Sequence, residues 1–117
     1  MIAAAAVMVG FIFGAPVAAN AGNPDYCADG RVCVYRDWNF GSGIGWRNNS
    51  FALTNISDAN DNQASSWENR RTVNARWYKN RNGTGTCYTM SAQRENAQMH
   101  LLTQNDAMSS WAGNGAC

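Results

Sequence analysis

Residues 61–67 read DNQASSW and residues 105–111 read NDAMSSW, so one polar pattern occurs twice in this 117-residue chain. Each heptapeptide has two Asn or Asp residues, two variable positions and then Ser-Ser-Trp. The two tryptophans, Trp67 and Trp111, lie 44 residues apart, a length that suits one supersecondary unit. The duplication therefore predicts a chain built from two copies of the same unit.

Short strand signals alternate with turn signals around the two heptapeptides. Runs such as RVCVYR, GIGWR, TVNARWY and TCYTM are rich in Val, Trp, Tyr and Cys, and Gly- and Asn-rich breaks separate them. From Thr72 to Tyr78, the residues Val73, Ala75 and Trp77 alternate with polar ones, which predicts a half-buried strand. Asn82-Gly83 predicts a tight turn. This spacing of short strands indicates an all-β sandwich.

The similarity of the two halves extends upstream of the heptapeptides. VYRDWNFGSG at 34–43 and WYKNRNGTG at 77–85 each place a Tyr at the end of a strand and a Gly-rich turn shortly after it. Two repeats of about 44 residues, each with four strands, fit two Greek keys. We expect the first Greek key at about 26–68 and the second at about 72–117, with 90–102 compatible with a helical turn.

Residues 1–21 have the features of a secretory signal peptide. An apolar run from Ile2 to Phe13 is followed by Pro16 and by the A-x-A sequence at 19–21. The run is too short to span a bilayer. We therefore predict cleavage after position 21 and an exported, extracellular domain of residues 22–117; a buried N-terminal helix is the alternative.

Four cysteines, an even number in a chain expected to be exported, predict two disulfides. Three pairings are possible, and we favour Cys27–Cys33 together with Cys87–Cys117. A zinc site is the competing interpretation, but there is no C-x-x-C pair and His100 is the one histidine.

Composition and charge narrow the function classes. A net charge of +1 argues against nucleic-acid binding and stable membrane association. An enzyme is not expected, because His100 has no evident nucleophile partner. We also expect the protein to be a monomer. Five basic residues nonetheless fall close together, either as the solvated face of one strand or as a patch for an acidic partner. They are Arg70, Arg71, Arg76, Lys79 and Arg81.

Three stretches of the sequence resemble those of known families. Tyr-x-x-x-x-Phe followed by glycines, at 35–43, resembles the Greek-key signature of βγ-crystallins, and the heptapeptides resemble the calcium-binding motif of their microbial members. The opening CADGRVCVYRDWNFGSG at 27–43 resembles secreted actinomycete proteins of peptidase inhibitor family 36, which has the same fold. Two positions depart from the crystallin signature: Ser42 stands where Gly is expected, and Gly83 where an aromatic residue is expected.

The crystallin resemblance implies calcium binding by the heptapeptides. Calcium takes oxygen ligands, and Asn, Asp and Ser supply them; with one carboxylate per heptapeptide, the affinity should be weak. Alternatively these side chains only close turns, and Trp67 and Trp111 enter the core. The predicted ligands are Asp61, Asn62 and Ser65 in the first heptapeptide and Asn105, Asp106 and Ser109 in the second.

The inhibitor resemblance implies an extracellular peptidase, a metalloproteinase in particular, as the partner. A rigid loop in the second half would then fill the cleft of the peptidase. Two other functions stay open: a calcium-binding structural or stress module without inhibitory activity, and a secreted antimicrobial protein similar to the crystallin-fold killer toxins. The candidate loop comprises Asn80, Arg81, Asn82, Gly83, Thr84, Gly85, Thr86 and Cys87.

Overall fold

A computed structural model describes residues 22–48, 50–102 and 104–117. The predicted signal peptide, residues 1–21, lies outside this range. The described strands are β1 (Arg31–Asp37), β2 (Gly41–Asn48), β3 (Thr54–Asn55), β4 (Ser66–Asn69), β5 (Ala75–Tyr78), β6 (Cys87–Met90), β7 (Arg94–Asn96) and β8 (Ser110–Ala112).

Short 3₁₀ turns make up the helical part of the described chain. The turn at Met99–Leu102 lies within the segment that the sequence left compatible with a helix. No described helix is both long and apolar enough to cross a membrane. The turns are Trp38–Phe40, Asp58–Asn60, Arg81–Gly83 and Met99–Leu102.

The strands form two antiparallel four-stranded sheets, in the orders β2-β1-β4-β7 and β3-β8-β5-β6. Strands β1–β4 form the first Greek key and β5–β8 the second. Each key places its third strand in the other sheet, since β3 pairs with β8 and β7 pairs with β4. The predicted all-β sandwich of two Greek keys is confirmed, and its halves are interlocked.

The tryptophans of both heptapeptides enter the core between the sheets. Trp67 is 7% exposed and Trp111 is 2% exposed, and Trp77 on β5 is fully buried. Burying large aromatic rings contributes most of the apolar area that a small domain can remove from water. The remaining buried members of this cluster are Val32, Val34, Ile56, Ala64, Ala75, Met90, Met99 and Met108.

The corner between the first two strands has the same backbone path in both keys. Asn39 and Asn82, 43 residues apart, have φ values of 55° and 57°. The residues that follow them, Phe40 and Gly83, have φ values of 65° and 68°. Because a non-glycine residue is strained in this left-handed region, glycine in place of the expected aromatic at position 83 costs the turn geometry nothing.

The other departure from the crystallin signature also keeps its geometry. Ser42 has a φ of 53°, and Gly85, its counterpart 43 residues later, has a φ of 79°. The Ser42 hydroxyl donates a hydrogen bond to Asp37 Oδ2 over 2.7 Å, across the base of the corner. A side-chain hydrogen bond therefore accompanies the residue that lacks the conformational freedom of glycine.

The last serine of each heptapeptide fastens the corner of its own key. Ser66 and Ser110 are fully buried, and each hydroxyl both donates to a backbone carbonyl and accepts from a backbone amide of the corner. The bonds are Ser66 to Asp37 O (2.6 Å) and from Phe40 N (3.1 Å), and Ser110 to Asn80 O (2.6 Å) and from Gly83 N (3.0 Å).

Strand β5 begins later than the alternation of residues predicted. It spans Ala75–Tyr78 rather than Thr72–Tyr78, and Val73 is 43% exposed. The buried Asn69 amide accepts from Arg71 N over 2.9 Å and donates to Val73 O over 3.0 Å. These side-chain bonds hold the chain in a turn, because they occupy backbone groups that a strand would use.

Two disulfides are present, Cys27–Cys33 and Cys87–Cys117, which is the favoured pairing. The first lies in a small buried cluster with Tyr35, at the side of the main core. The second joins the start of β6 to the C-terminus across 30 residues of sequence. Each closes a loop in the unfolded chain, and the longer loop is expected to stabilise the fold more.

We expect the two disulfides to contribute unequally to stability. On the loop-entropy model, removing Cys27–Cys33 lowers the free energy of unfolding by about 2 kcal/mol, and removing Cys87–Cys117 lowers it by about 3.5 kcal/mol. Urea unfolding of the C27A/C33A and C87A/C117A variants measures both. An equal loss, or a larger one for the first pair, would show that packing around the buried Cys27 and Cys33 outweighs chain entropy.

Replacing either corner serine by alanine should destabilise the domain. Ser66→Ala and Ser110→Ala each leave a backbone carbonyl and amide without their buried partner, which costs about 1–3 kcal/mol. The exposed Ser91→Ala is the control and should change stability by less than about 0.5 kcal/mol. Urea unfolding measures all three; a corner variant that behaves like the control would mean that water replaces the hydroxyl.

Candidate functional site

The candidate inhibitory loop, residues 80–87, is a closed corner rather than an extended arm. Lys79 N donates to Thr86 O and Asn80 N donates to Thr84 O, both over 3.0 Å. These two bonds continue the β5–β6 pairing beyond the strands and join the two ends of the loop. The loop is therefore held at its base by backbone hydrogen bonds.

The tip of the loop folds back onto the body of the domain. Asn82 N donates to Asn55 Oδ1 over 2.7 Å, and Asn55 Nδ2 donates to Asn82 Oδ1 over 3.0 Å. The Thr84 hydroxyl donates to Arg81 O over 2.8 Å. Residues 81–83 are thus fixed, and the consecutively exposed part of the loop is 84–86.

The exposed part, Thr84-Gly85-Thr86, has small side chains and a fixed backbone. It ends at Cys87, whose disulfide to Cys117 tethers this end of the loop. Small side chains allow another protein to approach the backbone closely, and a fixed backbone loses little entropy on binding. The sequence suggested this loop by position alone; the hydrogen bonds that rigidify it come from residues as distant as Asn55 and Ser110.

The two heptapeptides meet each other across the molecule. Asn62 N donates to Met108 O over 3.1 Å, and the equivalent Asp106 N donates to Ala64 O over 2.9 Å. The Ser109 hydroxyl donates to Asn62 Oδ1 over 3.0 Å. The two heptapeptides therefore hydrogen-bond to each other, a contact that the linear sequence does not reveal.

Four of the six predicted calcium ligands line one groove: Asp61, Asn62, Asp106 and Ser109. The groove also borders the candidate loop, because Lys79, Asn80 and Arg81 form another part of its wall. The other two predicted ligands, Ser65 and Asn105, do not line this groove. Ser65 lines a separate depression with Trp38 and Asn39, and Asn105 donates to Asp106 Oδ2 over 3.0 Å.

The groove contains oxygen atoms suited to calcium binding. It also contains a cation, Arg81, that competes for them. Asp61 Oδ1 is buried and has no hydrogen-bond partner among the described residues, and Asn105 Oδ1, at the same position of the second heptapeptide, shares this property. Arg81 Nη1, however, lies 3.3 Å from Asp58 Oδ1 and 4.0 Å from Asp61 Oδ2. The donor types thus fit calcium, with part of the negative charge already neutralised by Arg81.

Of the two interpretations of the basic residues at 70–81, the solvated face of one strand is wrong, because four of these residues bond to different parts of the domain. Arg71 is 8% exposed and donates to a backbone carbonyl at the C-terminal end, and Arg70 pairs with Asp29 near the N-terminal end of the domain. Arg76 donates to Asn114 and Tyr78, and Arg81 pairs with the groove carboxylates.

A second exposed surface, here called the Trp38 ridge, consists of Trp38, His100, Leu101 and Leu102. Trp38 is 51% exposed and stacks on His100 with ring centroids 4.0 Å apart. Leu101 and Leu102 are 69% and 59% exposed. Exposed aromatic residues of this kind are enriched at protein interfaces. Sequence reasoning missed this surface, because Trp38 and His100 lie 62 residues apart and meet only in the fold.

Comparison with known structures shows the fold. A structure described as "Evolution of the eye lens beta-gamma-crystallin domain fold" matches 74% of this chain and 86% of its own, with a TM-score of 0.61 and 19% identity. A βγ-crystallin from an archaeon matches 73% and 98%, with a TM-score of 0.58 and 19% identity. A βγ-crystallin domain from Flavobacterium johnsoniae matches 74% and 98%, with a TM-score of 0.56 and 22% identity.

Comparison at the level of sequence shows the family. The profile of peptidase inhibitor family I36 matches residues 20–90, which include the first Greek key and the whole candidate loop. No curated protein matches the chain. Because the profile covers more than half of the 117 residues and the fold is that of a βγ-crystallin domain, the chain belongs to peptidase inhibitor family I36.

Proposed function

We propose that this protein is a secreted inhibitor of an extracellular metalloproteinase. The observation that carries the proposal is the family match, which spans the first Greek key and the rigid loop 80–87. Membership in an inhibitor family supports binding to a peptidase. The two disulfides support an oxidising, extracellular setting. The metalloproteinase class rests on the resemblance of residues 27–43 to the secreted family members.

The inhibitor acts sterically, by placing the exposed part of the loop in the cleft of the peptidase. Thr84, Gly85 and Thr86 approach the catalytic centre, and the cross-bonded tip behind them resists deformation. Since the loop is ordered before binding, association does not pay for ordering it, which raises affinity. The proposed inhibitor performs no reaction of its own.

A bulky residue at the exposed strip should weaken inhibition. Thr86→Trp enlarges an exposed side chain while keeping the carbonyl that accepts from Lys79 N. We expect its inhibition constant to rise at least about tenfold, the equivalent of 1.4 kcal/mol. The matched control is Thr72→Trp, an exposed threonine beyond the opposite end of β5, which should change the constant less than about twofold.

The assay uses the purified, disulfide-bonded protein against a panel of metallo-, serine, cysteine and aspartic peptidases. Absence of inhibition at micromolar concentration across all four classes would overturn the proposed function. If Thr86→Trp still inhibits and Leu101→Asp does not, the Trp38 ridge is the contact surface and the loop assignment is wrong. Thermal melting of each variant separates a lost contact from a lost fold.

We infer a second candidate function, weak calcium binding, from the unpartnered oxygens of the heptapeptides. Asp61 Oδ1 and Asn105 Oδ1 are buried at equivalent positions without hydrogen bonds among the described residues, which is costly unless something else binds them. Asp61, Asn62, Asp106 and Ser109 would hold the ion in the groove. With Arg81 nearby, the dissociation constant is expected at about 10⁻⁴–10⁻³ M, the range of extracellular modules.

Removing the competing guanidinium should tighten calcium binding. In Arg81→Gln, the positive charge 4.0 Å from Asp61 Oδ2 is gone, and we expect about fivefold higher affinity, because a partly exposed pair is worth about 1 kcal/mol. Arg94→Gln is the control, since it removes the same charge from an exposed position that lines a depression without predicted ligands. Titration calorimetry measures affinity; no heat and an unchanged melting temperature at about 10 mM calcium would exclude the site.

A further inference from the structure

Glu68, in the middle of β4, is a fully buried carboxylate. Its Oε1 accepts from the Tyr35 hydroxyl over 2.6 Å and from Asn23 N over 3.1 Å. Its Oε2 is also buried and has no hydrogen-bond partner among the residues that the structure describes. Burying a charge is costly unless it is paired. The buried Oε2 atom therefore requires a partner that the described residues do not supply.

Gly22 lies against the unpartnered oxygen. A Cβ atom built on this glycine would overlap Glu68 Oε2 and lie 2.8 Å from Oε1. The Cβ position lies 1.7 Å from Oε2. Since the nitrogen and Cβ of one residue are about 2.5 Å apart, the Gly22 nitrogen is no more than about 4.2 Å from Oε2. Gly22 also has a φ of 48°, so a side chain here would be strained and would displace the carboxylate.

Among the described residues, the charged neighbours of Glu68 leave its Oε2 without a cationic partner. Glu95 on β7 is its direct cross-strand partner. Burial and the charge of Glu68 raise the pKa of Glu95, and Arg70 only partly offsets them. Arg70 itself pairs with Asp29.

Two tyrosines near Glu68 carry no charge that could pair with it. Burial and the hydrogen bond to Glu68 raise the pKa of Tyr35, so this phenol stays neutral. The ring of Tyr26 packs on that of Tyr35, and burial raises its pKa too.

We propose that the α-ammonium group of Gly22, created when the signal peptide is removed, forms a buried ion pair with Glu68 Oε2. The proposal rests on the predicted cleavage after Ala21, which would make Gly22 the first residue of the mature chain. Before cleavage, the nitrogen of Gly22 is a neutral amide. Removal of the signal peptide thus creates the positive charge that pairs with Glu68 Oε2 in the first sheet.

The chemistry is a single hydrolysis. An export peptidase breaks the C–N bond between Ala21 and Gly22; water gives its hydroxyl to the Ala21 carbonyl carbon and a proton to the Gly22 nitrogen. The free amine then takes up a second proton at neutral pH, because its ordinary pKa is about 7.8. Glycine suits this position, because any other residue would push its Cβ into the carboxylate.

The first measurement is the titration of the α-amine. The full chain is expressed in a secreting bacterial host, and mass spectrometry of the product should show Gly22 as the N-terminus. The ion pair should raise the pKa of the amine by at least about one unit above 7.8. Its stabilisation is then complete below about pH 7.8 and is lost as pH rises through the higher value. The rate of N-terminal acylation against pH, compared with the peptide GNPDY, reports this pKa.

The second measurement tests whether the amine acts through Glu68. Acetylating the N-terminus of the mature protein removes its charge and should lower the melting temperature by at least about 5 °C. In Glu68→Gln, the same acetylation should change the melting temperature by less than about 1 °C. Glu95→Gln is the matched control, because it removes the cross-strand neighbour, and it should respond to acetylation as the native protein does.

Three results would overturn the proposal: a mature N-terminus other than Gly22, an α-amine that titrates at its ordinary pKa, or equal destabilisation of the native and Glu68→Gln proteins by acetylation. If Glu68→Gln does not fold, the amine titration alone decides. These outcomes are independent of peptidase inhibition, so the inhibitor proposal and this one can fail separately.

Discussion

Two buried hydroxyls, those of Ser66 and Ser110, hold the architecture together. Each lies at the start of a central strand and bonds to both sides of the corner formed by the first two strands of its key. The strand that carries the serine thus holds the backbone of the corner in place. The corner in turn determines which of its residues are exposed to solvent. Because the tryptophan that follows each serine is buried in the core, corner geometry and core packing are coupled through one peptide unit. A hydroxyl is suited to this role, since it donates and accepts at once.

The fold was predictable because the signals that determine it are short-range and occur twice. A turn, a strand and the Ser-Ser-Trp sequence are each short-range signals, and finding them twice at one spacing implies two Greek keys. The limits of β5 were not predictable from alternation, because the side chain of Asn69 takes up the backbone groups of Arg71 and Val73. The local pattern of residues 72–74 suits a strand, but the buried amide of Asn69, from the preceding strand of the chain, imposes a turn.

The site was less predictable than the fold, because its residues come together only through the interlocking of the keys. Asn62 and Ser109 bond to each other from different heptapeptides, and the loop at Asn82 is held by Asn55 of the first key. The fully buried Glu68 was also unforeseen: the strand SWEN is buried at every position, so alternation gives no sign that its carboxylate faces inward. Long-range contacts of this kind carry no short-range signature.

The exchange of third strands has a consequence for the proposed inhibition of a peptidase. A cut in the loop between β5 and β6 would divide the chain into a piece with β1–β5 and a piece with β6–β8. Strand β8 lies between β3 and β5, and β7 pairs with β4, so each piece completes a sheet of the other. We expect a molecule cut there to stay one particle, because strands of both pieces remain hydrogen-bonded within each sheet. Cleavage of this loop should therefore leave both fragments in the folded domain.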